Sequence, residues 1–349
     1  MPPRAPRTLT QRELNRAVLA RQLLLERAPI SVPRALERMG GLQAQYAPSM
    51  YVGLWSRLEG LRRDHLTRLL ERRTVVQGTL MRSTIHLVSR RDYWPMAIGT
   101  RAARRVSWLR AVGDAPAEDE MTAAATRLRE ALGSSGSLRR TEVDALLGRP
   151  ASAGVGLWLD LVRAPPSGTW ERRRADLYAA AEDWIGPAPE IAAAQAVEYL
   201  IRRYLGAFGP ATRGEIADWA GLTIGTVAPV LDRLALRRFR AEDGDELLDL
   251  PRAPLPAATT PAPVRFLPTW DATLLVHARR ARILPEEHRG RIFHTRAPQS
   301  FATFLVDGAV AGVWRYDDGR VDLEPFGPID RATSRELREE AARLAAFHG

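Results

Sequence analysis

The sequence predicts a mainly α-helical fold carrying β hairpins (α+β), and three observations predict it. The order helix, helix, helix, hairpin can be followed through residues 8–112 and returns in shortened form further along. A Pro-rich stretch, residues 251–263, separates this part from the tail. From residue 264 the pattern changes to short alternating strands.

The elements follow in order. Residues 8–30 open with Thr10 as N-cap and Glu13 three positions on, a capping-box pattern. Leu14, Val18, Leu19, Leu23 and Leu24 then recur at helical spacing. Ser31 caps a second helix, Pro33 fits its first turn, and Gly40-Gly41 stops it. Gln43 and Gln45 follow on extended backbone. That spacing points both amides to one side, where they can hold a water or a polar ligand edge. After an apolar stretch, Tyr51 to Trp55, residues 61–73 form a helix with Leu66, Leu69 and Leu70 inward. Arg62, Arg63, Arg68, Arg72 and Arg73 face outward.

Residues 74–90, rich in β-branched side chains, form a hairpin. Helix, helix, helix, hairpin is the order of a winged helix. Arg82, Ser83 and His86 sit in the wing, whose tip is expected to lie along nucleic acid. His86 suits a hydrogen-bonded, half-buried structural place better than catalysis. An Arg-rich helix, 91–112, completes the unit, and 113–119 is a linker.

A second unit, 120–188, has a helix at 120–133 and a short one from Ser137 to Leu147. Its Pro165-Pro166-Ser167-Gly168 turn is followed by Trp170, Arg172 and Arg173. This is a second wing or a surface loop with Trp170 packed against it. The third unit, 189–252, has a long helix, a helix–turn–helix with its second helix at Val227–Leu236, and strands across 237–250. That second helix offers few base-reading groups, so it serves as scaffold. Residues 264–349 form a small barrel-like or curled sheet closed by a helix at 331–347. Asp271 is read as a helix N-cap ahead of Leu274-Leu275, with a supporting role at the site as the alternative.

Composition narrows the chemistry. The 349 residues are 45% hydrophobic, enough to bury real cores. No apolar run approaches the roughly 20 residues of a membrane span, and no secretory h-region opens the chain, so a cytoplasmic protein is expected. With no cysteine there are no disulfides, thiolate metal sites or Cys nucleophile. All 51 basic residues are arginine, so no lysine Schiff base is available. No metal or cofactor is expected. The net charge of +10 is uneven: residues 1–110 hold 21 Arg against 7 Asp or Glu. That is the footprint of a phosphate-binding surface, although a solvated basic face or an acidic partner would show the same excess.

Several blocks in order carry a resemblance: Gly41-Leu42-Gln43-Ala44-Gln45; Leu80-Met81-Arg82-Ser83-Thr84-Ile85-His86; Val162-Arg163 through Trp170; Phe208-Gly209-Pro210; Leu267-Pro268-Thr269-Trp270-Asp271; and Val306-Asp307-Gly308 through Trp314-Arg315. Over nearly its whole length the chain resembles the bacterial winged-helix DNA glycosylases typified by AlkZ and YcaQ. The resemblance implies three tandem winged helices with a small β-barrel, and a catalytic Gln-apolar-Gln motif of the AlkZ branch at Gln43 and Gln45. It also implies a monomer acting without cofactor on double-stranded DNA that carries an alkylated purine, with Arg62, Arg63, Arg82, Ser83, His86, Arg172 and Arg173 on the DNA side. The implied activity is monofunctional release of N7-alkylguanine, extending to interstrand crosslinks and self-resistance to a DNA-alkylating natural product. An amide has no useful basicity, but a cationic N7-alkylated guanine is already a good leaving group, and positioned water can suffice. A non-catalytic winged-helix regulator and a drug-sequestering protein are the rival readings.

Overall fold

The computed structural model describes residues 6–113, 116–274, 281–293 and 300–349. The first unit opens with β1 (Thr8–Leu9) and α1 (Gln11–Arg21). The capping box forms: Thr10 Oγ1 accepts from the Glu13 N–H at 3.2 Å, and Glu13 accepts from the Thr10 N–H at 2.9 Å. The apolar spacing runs on to Leu24, but the helix stops at Arg21. Leu23 takes φ +57°, and the break sends Leu23 and Leu24 into two different cores. α2 (Val32–Met39) ends on left-handed Gly40, although Ser31 makes no side-chain cap bond. At Gly41, with φ +82°, a Cβ would meet Val88 Cγ1 at 2.9 Å, so glycine lets the next segment enter a sheet.

That segment is β2 (Leu42–Gln43), followed by α3 (Ala47–Trp55), α4 (Arg63–Glu71), β3 (Val75–Thr79), a 3-10 turn at Met81–Ser83, β4 (Ile85–Ser89) and α5 (Arg90–Ala111). The second unit holds α6 (Glu118–Ser135), β5 (Leu138–Arg139), α7 (Arg140–Leu147), α8 (Ala151–Gly154), β6 (Leu161–Arg163), β7 (Leu177–Ala180) and α9 (Ala181–Ile185). The helix expected from Ser137 starts at Arg140, because Leu138 and Arg139 pair with Tyr178 and Leu177. The third unit holds α10 (Ala193–Phe208), α11 (Arg213–Ala220), α12 (Ile224–Leu231), β8 (Arg237–Ala241) and β9 (Glu246–Asp249). α12 begins ahead of the expected Val227 because Thr223 caps it, accepting from the Thr226 N–H at 3.2 Å. It buries Val227, Val230 and Leu231.

The tail contains β10 (Arg265–Leu267), α13 (Glu286–Ile292), β11 (Thr303–Val306), β12 (Ala309–Asp317), β13 (Arg320–Pro325) and α14 (Arg331–His348). Its sheet runs β10-β11-β12-β13, and no pairing among the described residues joins the two outer strands. Of the expected barrel-like or curled sheet, the closed form is not seen among the described residues: the sheet is open. The mixed α+β class holds.

The units are not separate beads. One antiparallel sheet of six strands, β2-β4-β3-β6-β7-β5, crosses from the first to the second, joined where Gln77 and Gly78 face Arg163 and Val162. The β3–β4 hairpin, expected as a wing, thus has a neighbour on each side. Its tip is covered as well: Arg82 donates to the Trp219 carbonyl at the end of α11, and a Cβ on Gly221 would lie 3.1 Å from Arg82 N.

Much of the N-terminal basic charge is spent inside the protein. Arg16, Arg21 and Arg57 are fully buried. Arg21 makes a two-point pair with Asp249, at 2.7 and 3.0 Å, with both side chains fully buried. The Pro-rich 251–263 stretch is tied across α1 by arginine donors: Arg12 to Ala258 O, Arg16 to Thr260 O and Arg21 to Pro254 O. The solvated basic face foreseen from the charge count is accordingly smaller than the count suggests.

Candidate active site

Gln43 sits at the edge of the six-stranded sheet, directly opposite His86. Residues opposite each other on neighbouring strands project to the same face, so the amide and the imidazole are neighbours. The Ala44 N–H continues the pairing to the Ile85 carbonyl at 2.8 Å, and the Ala44 methyl is buried. Gln45 follows on the exposed side, and Gln43 Nε2 donates to Gln45 Oε1. The expected projection of both amides to one side is present. This bond fixes both side chains, because each amide holds the other's free rotor. What remains is a Gln43 oxygen able to accept and a Gln45 amino group able to donate, the two functions needed to orient one water.

His86 is 3% exposed. Its Nδ1–H donates to the Thr84 carbonyl at 3.0 Å. Burial, with the Arg82 and Arg104 charges adding to it, pushes its pKa down to about 3. The ring is therefore neutral at physiological pH and carries no charge for a phosphate. It supports the Gln43 strand from within, which agrees with the structural part read for it from sequence and not with a place on the DNA surface.

Tyr46 caps α3 next to Gln45 and is 40% exposed. A cavity of about 350 Å³ opens beside it, with walls from Tyr46, Ser49, Trp170, Trp314, Tyr316 and His348. Ser49 Oγ and Thr269 Oγ1 are 2.7 Å apart, which ties α3 to the tail. Tyr316 stacks on His348 at 4.2 Å between centroids, and burial, then Arg63 and Arg173, lower the His348 pKa to about 4. Sequence reading missed this aromatic wall. Trp170 and Trp314 stood in the family-like blocks, but nothing in their spacing shows that they converge.

The arginines divide. Arg173 donates to Tyr46 Oη at 3.1 Å, which brings the 164–176 loop to the edge of the Gln pair. Arg62, Arg172 and Arg173 are exposed. Arg63 instead holds the chain end, donating to the His348 and Gly349 carbonyls at 2.9 and 2.8 Å while stacking on Trp170. Trp170 itself is packed against Tyr51 and Phe347. Arg82 is partly buried against α11. Ser83 is exposed but lines a different cavity, away from Tyr46. The structure thus gathers Gln43, Gln45, His86 and Arg173 and leaves Arg82 and Ser83 at the hairpin tip.

Asp271 heads no helix among the described residues, and Leu275 lies outside them. Its carboxylate is fully buried and accepts from Arg57 at 2.9 Å and from the Thr273 N–H and Oγ1 at 3.0 and 2.8 Å. The helix expected over Leu274-Leu275 lies largely outside the described residues; the bond from the Thr273 N–H is of the kind an N-cap accepts, and the buried pair with Arg57 fastens the tail to the turn that follows α3.

A family model described as DNA glycosylase AlkZ-like matches residues 36–347. A relative from Streptomyces sahachiroi, an interstrand DNA cross-link repair glycosylase, is 26% identical over 365 residues, spanning 95% of this chain and 94% of its own. Among solved structures, Streptomyces sahachiroi DNA glycosylase AlkZ superposes with a TM-score of 0.83 at 22% identity, covering 98% of this chain and 97% of that one. The structural likeness speaks to the fold.

Proposed function

The chain belongs to the AlkZ-like DNA glycosylase family, and from that premise we propose that it hydrolyses the N-glycosidic bond of cationic N7-alkylguanine in double-stranded DNA. The observation that carries this is the amide-to-amide bond between Gln43 and Gln45 at the open edge of the sheet. Two neutral amides, fixed by each other, orient a water and solvate a developing sugar cation without supplying a strong base. Such a site suits a base that leaves neutral because it started charged. By the same argument it is slow on a neutral base, which needs protonation or a carboxylate to depart.

The rest of the reading follows from placement. Arg62, Arg172 and Arg173, being exposed, take DNA phosphates together with Ser83. Arg63, Arg82 and His86 hold the frame on which those contacts depend. The three helix-and-hairpin units act as tandem winged helices around the duplex, and the protein works as a cytoplasmic monomer without cofactor. With no lysine, no side-chain amine can form a Schiff base, so the product is an abasic site in an uncut strand. Unhooking of interstrand crosslinks, the activity in the relative's name, and self-resistance to an alkylating natural product extend the same chemistry to bulkier adducts.

The test is release of 7-methylguanine from methylated duplex DNA by wild type, Gln43→Ala and Gln45→Ala. Wild type should release the base, and each variant should lose roughly 10²-fold or more, the usual cost of one preorganised polar group. Equal release by all three removes the proposed site. Excision of uracil at a comparable rate removes the selectivity argument. A footprint on one operator sequence with no base release from any alkylated duplex would favour a non-catalytic regulator.

A further inference from the structure

A second cavity, of about 410 Å³, lies between α5 and the second unit. Its size falls within the roughly 300–1,000 Å³ of small-ligand pockets. Gln43 and Gln45 have no part in it. Along the sheet, Leu42 faces Leu87, Gln77 faces both Leu87 and Arg163, and Arg163 faces Tyr178. Arg163 is therefore three strand spacings from β2, roughly 14 Å. It projects with Leu42 and not with Gln43, to the opposite face of the sheet.

The charges around this cavity are unequal. Asp160 is paired with Arg101, and Arg140 with Asp144 at 2.9 Å. Arg163 has no carboxylate partner among the described residues, and its Nε has no hydrogen-bond partner. It is only 9% exposed, and burial lowers its pKa. A guanidinium removed from water without an anion is costly. Contrast Arg21 and Arg57, buried more deeply still, each of which has its aspartate. The Tyr178 ring lies 4.8 Å from the Arg163 Cζ, and Trp108 forms part of the wall with Tyr178. The cavity therefore offers a cation without a carboxylate partner among the described residues, held against the Tyr178 ring, and an aromatic wall at Trp108.

We propose that this cavity binds a single nucleotide unit, its phosphate on Arg163 and its base against the Trp108 wall. Two sources share that chemistry: a free mononucleotide, and a nucleotide displaced from a DNA strand. The site does not depend on the Gln43–Gln45 reaction, and binding can be measured whether or not any base is released.

The experiment is titration of the full chain with dGMP, deoxyguanosine and inorganic phosphate, followed by calorimetry and by tryptophan fluorescence. dGMP should bind and quench. Deoxyguanosine and phosphate alone should each bind at least about tenfold more weakly, the first for want of the charge-assisted hydrogen bond to Arg163 and the second for want of the base's contact with the aromatic wall. Arg163→Gln should weaken dGMP by a similar factor. Ser107→Trp, at an exposed position on the cavity wall, should block dGMP while leaving Arg163 and thermal stability intact. A short single strand that displaces dGMP from wild type assigns the site to DNA; failure to displace assigns it to the free nucleotide. Equal affinity for dGMP and deoxyguanosine, or unchanged dGMP binding by Ser107→Trp, overturns the proposal.

Discussion

Two places on one six-stranded sheet treat charge in opposite ways. At the β2 edge, Gln43 and Gln45 bring two neutral amides, backed by an imidazole held neutral by burial. Three strands away on the other face, Arg163 keeps a full positive charge without a counter-ion among the described carboxylates. The first place can accommodate a ligand that carries its own positive charge; the second would repel it. The lesson is that a basic chain need not have basic sites throughout.

The contrast can be broken or sharpened by experiment, most severely first. Arg21 is the internal control for Arg163, since it too is buried but is paired. Arg21→Met leaves Asp249 buried with the partly exposed Arg237 as its remaining cation, and should cost about 3–5 kcal/mol in chemical denaturation. A loss below about 1 kcal/mol would mean that pairing does not govern these buried arginines.

Next is the amide edge itself. Gln43→Ala and Gln45→Ala should each lower single-turnover release of 7-methylguanine roughly 10²-fold, about 3 kcal/mol of barrier, with duplex affinity nearly unchanged. If affinity falls as far as the rate does, the pair binds DNA and does not position water.

The neutrality of His86 is the third handle. Its folded pKa of about 3 lies below the unfolded value near 6.5. Between those values the unfolded chain binds a proton that the folded chain refuses, so stability is lost as pH falls below about 6.5 and is unaffected above it. The slope for this one group approaches about 1.4 kcal/mol per pH unit. His348, lowered to about 4, adds a loss that begins at the same pH and ends sooner, near pH 4. His86→Asn should flatten the stability curve between about pH 6 and pH 4 relative to wild type. Parallel curves for the two proteins would show that the imidazole is charged in the folded state.

The smallest effect is expected from Arg163→Met without ligand. Replacing an uncompensated buried cation by a hydrophobe of similar size should be neutral or stabilising by about 1 kcal/mol. A loss like that of Arg21→Met would reveal a partner and remove the premise of an anion site.

Local features were legible in the sequence. The Thr10–Glu13 capping box, the Gly40 stop, the 75–89 hairpin, the strands of the tail and the last helix stand where spacing and turn residues put them. Gln43 and Gln45 were legible as a pair on one side of an extended segment, and the amide bond between them follows from that alternation. The overreach at Leu23 and Leu24 has a physical cause: helical spacing of leucines records burial, and both are buried, but against different neighbours after a left-handed turn.

What the chain determined by itself was composition and local geometry: no thiol, no amine side chain, an excess of arginine, two amides side by side and the elements that carry them. Only the tertiary structure decided which arginines face water. Arg21 meets an aspartate 228 positions away, Arg57 one 214 away, and Arg163 none among the described residues. It also decided that the hairpin tip with Arg82 is covered by α11, and that Trp170, Trp314 and His348 close around Tyr46. The reason is range. Capping, turn preference and strand alternation act over a few residues and leave a periodic trace, whereas the partner of a buried charge is fixed by packing between distant segments and leaves none.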